Sequence, residues 1–382
     1  MAIECRIVGA SVLTPEGWST DALSIGDGVI LAPDAGPDID LSGYQVLPGI
    51  VDAHGDGFER HMAPRRGALR EAHHGVIAAA SELAVNGITT AVLAQFFSWE
   101  GGMRGPDFAE HVFESVCAVR PTVPVDLRLQ LRLETHLIDE FARAEAAIDR
   151  FGIGYVVFND HLPHQRLSEG RKPPRLAGQA LKSGRSPEAH LALMQNLHAR
   201  SSEVPAQLDK LSASLRGRGV VMGSHDDQTK TDRDIWAKRG ASVSEFPETL
   251  EAAEAARTDG AHIVLGAPNV VRGASHAGNI AAFDLVAEGL CDALASDYHY
   301  PSPLRAAFRL EELGLCDLAT SWRMVSAGPA LMLGLRDRGD LVPGKRADLI
   351  VLDPETRRVV ATIAGGEVAH MSGPVADRFL RL

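Results

Sequence analysis

Imidazole and carboxylate side chains recur in this chain at the ends of short apolar runs, the arrangement from which proteins build divalent-metal hydrolytic centres. The first is His54-Gly55-Asp56, after Leu47-Pro48-Gly49-Ile50-Val51. Alternate residues of a strand point the same way, so His54 and Asp56 project together. Glu134 closes the run Arg132-Leu133-Glu134, and His161 follows Asn159-Asp160. His225 stands in Ser224-His225-Asp226-Asp227 and Asp297 in Ser296-Asp297-Tyr298. Nitrogen and oxygen donors of this kind suit Zn2+ or a similar divalent ion. One such residue at a strand end is more often a cap or a hydrogen-bonding group, so the set carries more weight than its members. Asp160 and His164 are close enough to His161 in sequence to take its place. Glu134 has Arg132 and Arg128 as rival partners.

These residues need strands that end at one mouth. Apolar runs at Gln45–Val51, 88–94, 127–133, 154–158, 219–222, 241–243, 262–265 and 293–295 alternate with helical spacing, clearest over 75–85 and 137–149. Eight such strands predict a parallel (β/α)8 TIM barrel, whose chemistry sits at the C-terminal strand ends. Short β-rich pieces at both chain ends predict a small composite β domain from residues 1–48 and 340–382, leaving 49–339 for the barrel. A long connection, 162–218, follows the fourth strand and carries a helical run from Pro187 to Leu215. It is read as a lid or substrate-binding insertion, or else as a solvated excursion without function. Gly278-Asn279 reads as a helix opening.

The chain has 382 residues, 45% hydrophobic and 23% charged, with a formal net charge of -12. The length suits one barrel with an appendage, and the acidic balance argues against nucleic acid or an anionic membrane as partner. Four scattered cysteines, Cys5, Cys117, Cys291 and Cys316, contain no CxxC pair and read as reduced and mostly buried. The first residues have no apolar signal core, and no apolar run approaches membrane-spanning length. The expectation is a cytoplasmic protein; self-association is compatible with this class of barrel.

LPGIVDAHGD, a histidine after later strands, ASD at the eighth strand, Val325-Ser326-Ala327-Gly328-Pro329-Ala330 and the tail Leu341-Val342-Pro343-Gly344-Lys345 together resemble the amidohydrolase superfamily over essentially the whole chain. His-x-Asp stands where most members have His-x-His. That pair is similar to one branch, the α-D-ribose 1-methylphosphonate 5-triphosphate diphosphatases of phosphonate catabolism. So are Glu59-Arg60-His61-Met62-Ala63-Pro64-Arg65, Asn159-Asp160-His161-Leu162-Pro163, Ser224–Thr229, Glu245-Phe246-Pro247 and Gly266–Asn279. Departures occur at Gly55–Glu59, at His164 and at Ala277.

The resemblance implies two divalent ions, Zn2+ with Mn2+ as the alternative, held by His54, Asp56, Glu134, His161, His225 and Asp297. Glu134 is assigned the bridging role because no lysine suited to it stands near the fourth strand. Asp297 would also handle the proton of the attacking water. The implied reaction turns the triphosphate into the 5-phosphate and pyrophosphate. An excess of basic residues in the mouth-side loops suits such an anionic small molecule; His61, Arg65, His164, Arg166, Arg272 and His276 are the candidate substrate contacts. Two other readings stay open: an amidohydrolase cleaving a C–N bond of a cyclic amide or N-acyl substrate, which would not need the basic loops, and a catalytically silent binding barrel, against which the intact ligand set argues.

Overall fold

The computed structural model describes residues 3–32, 36–63, 71–273 and 279–380. Arg65, His276 and the Gly278 end of the expected helix opening lie outside them. Eight barrel strands are present: β1 (Ile50–Gly55), β2 (Ile88–Phe97), β3 (Asp126–Glu134), β4 (Tyr155–Asn159), β5 (Val221–His225), β6 (Val243–Glu245), β7 (His262–Gly266) and β8 (Ala293–Ala295). They hydrogen-bond in sequence order, and a parallel bridge between Gly55 and Asp297 links the first strand to the residues after the last. This is the (β/α)8 barrel that the spacing predicts. By contacts the chain divides into two compact units: Met1–Leu93 with Val116–Arg128 and His262–Leu382, and Ala94–Ser115 with Leu129–Ala261.

In the first unit, the expected strand Gln45–Val51 is two strands. Gln45–Pro48 pairs antiparallel with Leu349–Asp353 in a six-stranded sheet built from both chain ends, and β1 begins only at Ile50. The break falls at Gly49, where a β-carbon would sit 2.4 Å from the Thr89 side chain. A second sheet, of four strands, joins Cys5–Val8 to Leu23–Gly26 and Asp38–Asp40. Ile7, Ile25, Ile39, Val46, Leu349, Val351 and Ile363 share one core beneath these sheets. The Trp322 indole donates to the Pro48 carbonyl at 3.0 Å. Buried Arg338 donates to Thr90 and Asp126 at 2.8 and 2.7 Å, compensating its own desolvation. All four cysteines are free thiols. Only Cys5 is buried; the other three are half-exposed, because Cys5 alone sits on an inward-facing strand position.

In the second unit, β5 and β6 start two residues later than expected. Gly219 and Gly240 adopt left-handed backbone (φ +70° and +85°) that ends the preceding helices and delays extension. Both strands therefore reach further, to His225 and Glu245. The long connection holds four helices: α1 (His164–Ser168), α2 (Leu176–Ser183), α3 (Pro187–Ala199) and α4 (Val204–Gly217). The single expected helical run is broken at 200–203. Pro205 lacks an N–H and suits the first turn of a new helix rather than the interior of an old one. Leu162, Leu167, Met194 and Leu197 pack with Trp99 in a satellite core under this insertion. In the first unit the helix expected at Gly278-Asn279 begins at Ala282, with extended Ala281 as its cap. No helix among the described residues is long and apolar enough to cross a membrane.

Candidate active site

The first unit brings His54, Asp56 and Asp297 together, with donor atoms all within 4.8 Å of one another. Main-chain bonds set this geometry: Asp297 N–H donates to the His54 carbonyl at 2.9 Å, and Asp56 N–H to the Asp297 carbonyl at 2.8 Å. Asp297 has φ +55°, in the sparsely populated left-handed region where non-glycine residues gather at functional sites. Gly55 is required between His54 and Asp56. A β-carbon there would lie 2.8 to 2.9 Å from Asp52 Oδ2, Ser296 Oγ and the Tyr300 ring. Asp52 is wholly buried and accepts hydrogen bonds from Ser296 N–H and Oγ–H at 2.8 and 2.5 Å, tying β1 to the end of β8. Burial pushes its carboxyl up to about 6, against the lowering effect of the Ser296 bonds. Asp52 was not singled out from sequence, although the alternation that joins His54 to Asp56 includes it.

The second unit holds Glu134, His161 and His225. Glu134 is buried and accepts from Trp99 Nε1 at 3.1 Å and from the His161 main-chain N–H at 3.2 Å; its other oxygen meets His161 Nδ1. Its partners are thus neither Arg132 nor Arg128. Burial would lower the His161 pKa, but the Glu134 hydrogen bond and charge outweigh it and raise it. His225 follows a different logic. The Arg132 guanidinium donates to its Nε2 at 3.0 Å, so Nδ1 carries the proton and donates to Glu245 Oε2 at 2.8 Å. Desolvation lowers the His225 pKa, keeping the ring neutral. Glu245 is itself fully buried and held by Gln130 Nε2 at 2.9 Å and the Tyr155 hydroxyl at 3.2 Å. An imidazole oriented by a buried carboxylate is the support that metal-ligating histidines ordinarily have. Below it, buried Asp227 accepts from Ser224 and Ser244 and pairs with buried Arg233, fixing the turn after β5. Glu245 and Arg132 were missed as supporting residues; Glu245 closes β6, so the strand-end rule that found the others would have flagged it.

A cavity of about 750 Å3 in the second unit is lined by Asn159, Asp160, His161, His225 and Asp226, among others. Asn159 is buried, and neither atom of its side-chain amide has a hydrogen-bond partner. Of the expected substrate contacts, His164 lies on this cavity, with its ring between Asp160 and His198. Arg166 is exposed on α1. In the first unit, His61 is paired with Glu82 at 2.5 Å, and Arg272 donates to Asn269 at 2.8 Å. Lys230, in the second unit, is paired with Asp234 on its own helix.

The donor groups and the barrel define a hydrolase scaffold with residues able to hold divalent metal. Residues 249–370 match the model of the amidohydrolase family. The chain is 32% identical to the α-D-ribose 1-methylphosphonate 5-triphosphate diphosphatase of Escherichia coli K12, across 82% of this chain and 84% of that protein. It therefore belongs to the amidohydrolase superfamily, in the branch of that diphosphatase. Among solved structures, one described as a putative prolidase from Bifidobacterium longum superposes with a TM-score of 0.64, at 15% identity, over 100% of this chain and 99% of that one. The N-acyl-D-glutamate deacylase of Bordetella bronchiseptica, solved with zinc and a phosphonate inhibitor, gives 0.61 at 14% identity over 98% of both chains. At these identities the likeness is one of fold.

Proposed function

We propose that this protein hydrolyses α-D-ribose 1-methylphosphonate 5-triphosphate to the 5-phosphate and pyrophosphate. The observation that carries this reading is the 32% identity to the E. coli diphosphatase, which spans most of both chains rather than a shared patch. Three donor atoms of His54, Asp56 and Asp297 within 4.8 Å fit a divalent ion of the zinc class, the metal in the Bordetella deacylase structure. Glu134, His161 and His225 are the proposed ligands of a second ion. Bound ions would acidify a water and polarise a phosphoryl oxygen.

The chain's own residues account for the rest. Asp297, fixed by its main-chain bonds, takes the proton of the attacking water on its carboxylate. Glu245 holds the His225 ring with Nδ1 protonated, so Nε2 keeps the lone pair that Arg132 engages and that an ion would take in its place. The unpartnered Asn159 amide is a ready donor for an anionic oxygen, and Arg166 an exposed one. The substrate is thus an anionic small molecule.

Phosphorus NMR of the zinc-loaded protein with this triphosphate, and separately with ATP, tests the reading. Free pyrophosphate appearing beside an intact methylphosphonate resonance is the expected result. If neither compound yields pyrophosphate while bound metal is confirmed, the reading fails, and hydrolysis of C–N bonds becomes the reaction to assay.

A further inference from the structure

We propose that His136, Asp160 and His164 form a separate divalent-metal site of the zinc class, which fastens the insertion to the ends of β3 and β4. His136 stands two residues beyond β3, Asp160 directly follows β4, and His164 opens α1. The donor atoms of the three lie within 4.8 Å of one another. His164 Nε2 is 3.1 and 3.2 Å from the two Asp160 oxygens, and His136 Nδ1 is 3.5 Å from Oδ1. Tetrahedral zinc with bonds of about 2.0–2.1 Å sets its ligand atoms about 3.4 Å apart. The distances from Asp160 to both rings already match this spacing.

The hydrogen bonds behind the rings bear on which nitrogens can bind. The Ser201 hydroxyl donates its one proton to the His198 carbonyl at 2.6 Å. Toward His136 Nε2, 3.2 Å away, it can only accept. Nε2 of His136 is therefore protonated, and its Nδ1 lone pair faces Asp160 at 3.5 Å and the Thr135 hydroxyl at 3.1 Å. His164 Nδ1 lies 2.8 Å from His198 Nδ1, close enough that one of the two donates to the other. With His164 as donor, its Nε2 lone pair faces the same carboxylate. Two imidazole nitrogens and a carboxylate converging on one point suit a divalent cation, which would displace the proton His164 otherwise shares with Asp160, and N2O donors favour zinc over magnesium or calcium. Ser201 and His198 then act as the outer partners that hold each ligating ring.

His161 is not part of this group; its ring is turned to Glu134 and lies 5.8 Å from that of Phe96. All three residues line the cavity, His136 being the buried one, so a fourth coordination position would face the cavity. Its ligands come from two strand ends and α1, and its outer partner His198 from α3. An ion here would stiffen the insertion against the strand ends.

Zinc content after equilibrium dialysis, measured by inductively coupled plasma mass spectrometry on the full chain, tests the proposal. The wild type should bind one zinc per chain more than His164→Gln and one more than Asp160→Asn. The same loss should appear in a His54→Ala background, which separates this ion from any held by His54, Asp56 and Asp297. Cobalt substitution adds a second readout: one equivalent of visible absorption lost in each variant. Circular dichroism checks that each variant folds, and His136→Gln stands in for either that does not. Equal zinc content in the wild type and the folded variants overturns the proposal.

Discussion

Around His54 the main chain does the positioning, whereas around His225 side chains do it. In the first group, Asp297 and Asp56 bind main-chain carbonyls, Gly55 leaves no room for a β-carbon, and the buried pair Asp52–Ser296 braces the strands from behind. In the second, His161 leans on Glu134 and His225 on Glu245, with Gln130, Tyr155 and Arg132 behind them. A site fixed by main chain tolerates changes that spare the strand ends. A site fixed by carboxylate–imidazole pairs can be retuned by one side chain far away in sequence.

Four variants would break or sharpen that contrast. Asp297→Ala removes a proposed ligand and the proton acceptor together; turnover should fall by about 10³-fold with much less effect on KM. An unchanged turnover number would strip Asp297 of that role. Glu245→Gln keeps the shape but removes the charge that orients His225. Activity should drop about 10- to 100-fold, with zinc affinity falling in parallel, and equal zinc affinity would mean that Arg132 alone fixes the ring. Gly55→Ala forces a methyl group against Asp52, Ser296 and Tyr300, and should cost about 2 kcal/mol in urea denaturation. A neutral result would show that β1 can shift, and that the main-chain group is softer than its bonds suggest. Ser296→Ala deletes one hydrogen bond to Asp52 while keeping the main-chain donor, and about 1 kcal/mol should be lost by the same assay.

The parts of the molecule legible in sequence are those with a local period. The i, i+2 pair His54–Asp56 and the eight alternating runs needed only neighbours to be read. The boundary inside Gln45–Val51 could not be seen, because the apolar run continues through the point where the chain leaves one sheet for another. Supporting residues were harder still. Gln130 and Glu245 meet across a sequence separation of 115, and Arg132 and His225 across 93, so no window holds both partners. His198 reads as an ordinary residue near the end of α3 until the fold sets it beside His164. The basic residues of the mouth-side loops were counted from sequence as a group. Where described, His61, Arg272 and Lys230 already have partners, Glu82, Asn269 and Asp234.

The pairing of Gln45–Pro48 with Leu349–Asp353 bears on how the chain is made. The later strand is synthesised roughly three hundred residues after the earlier one, a delay of about 15 to 60 s at ordinary ribosomal speeds. Throughout that interval the early strand has an unpaired edge, and its core lacks Leu349, Val351 and Ile363. Chains arrested short of Leu349 should therefore be cut near Gln45–Pro48 by protease and captured by chaperones, while the released chain resists both. Assembly of the terminal sheet is an event of chain completion, and the nascent protein carries an aggregation hazard that the finished one does not.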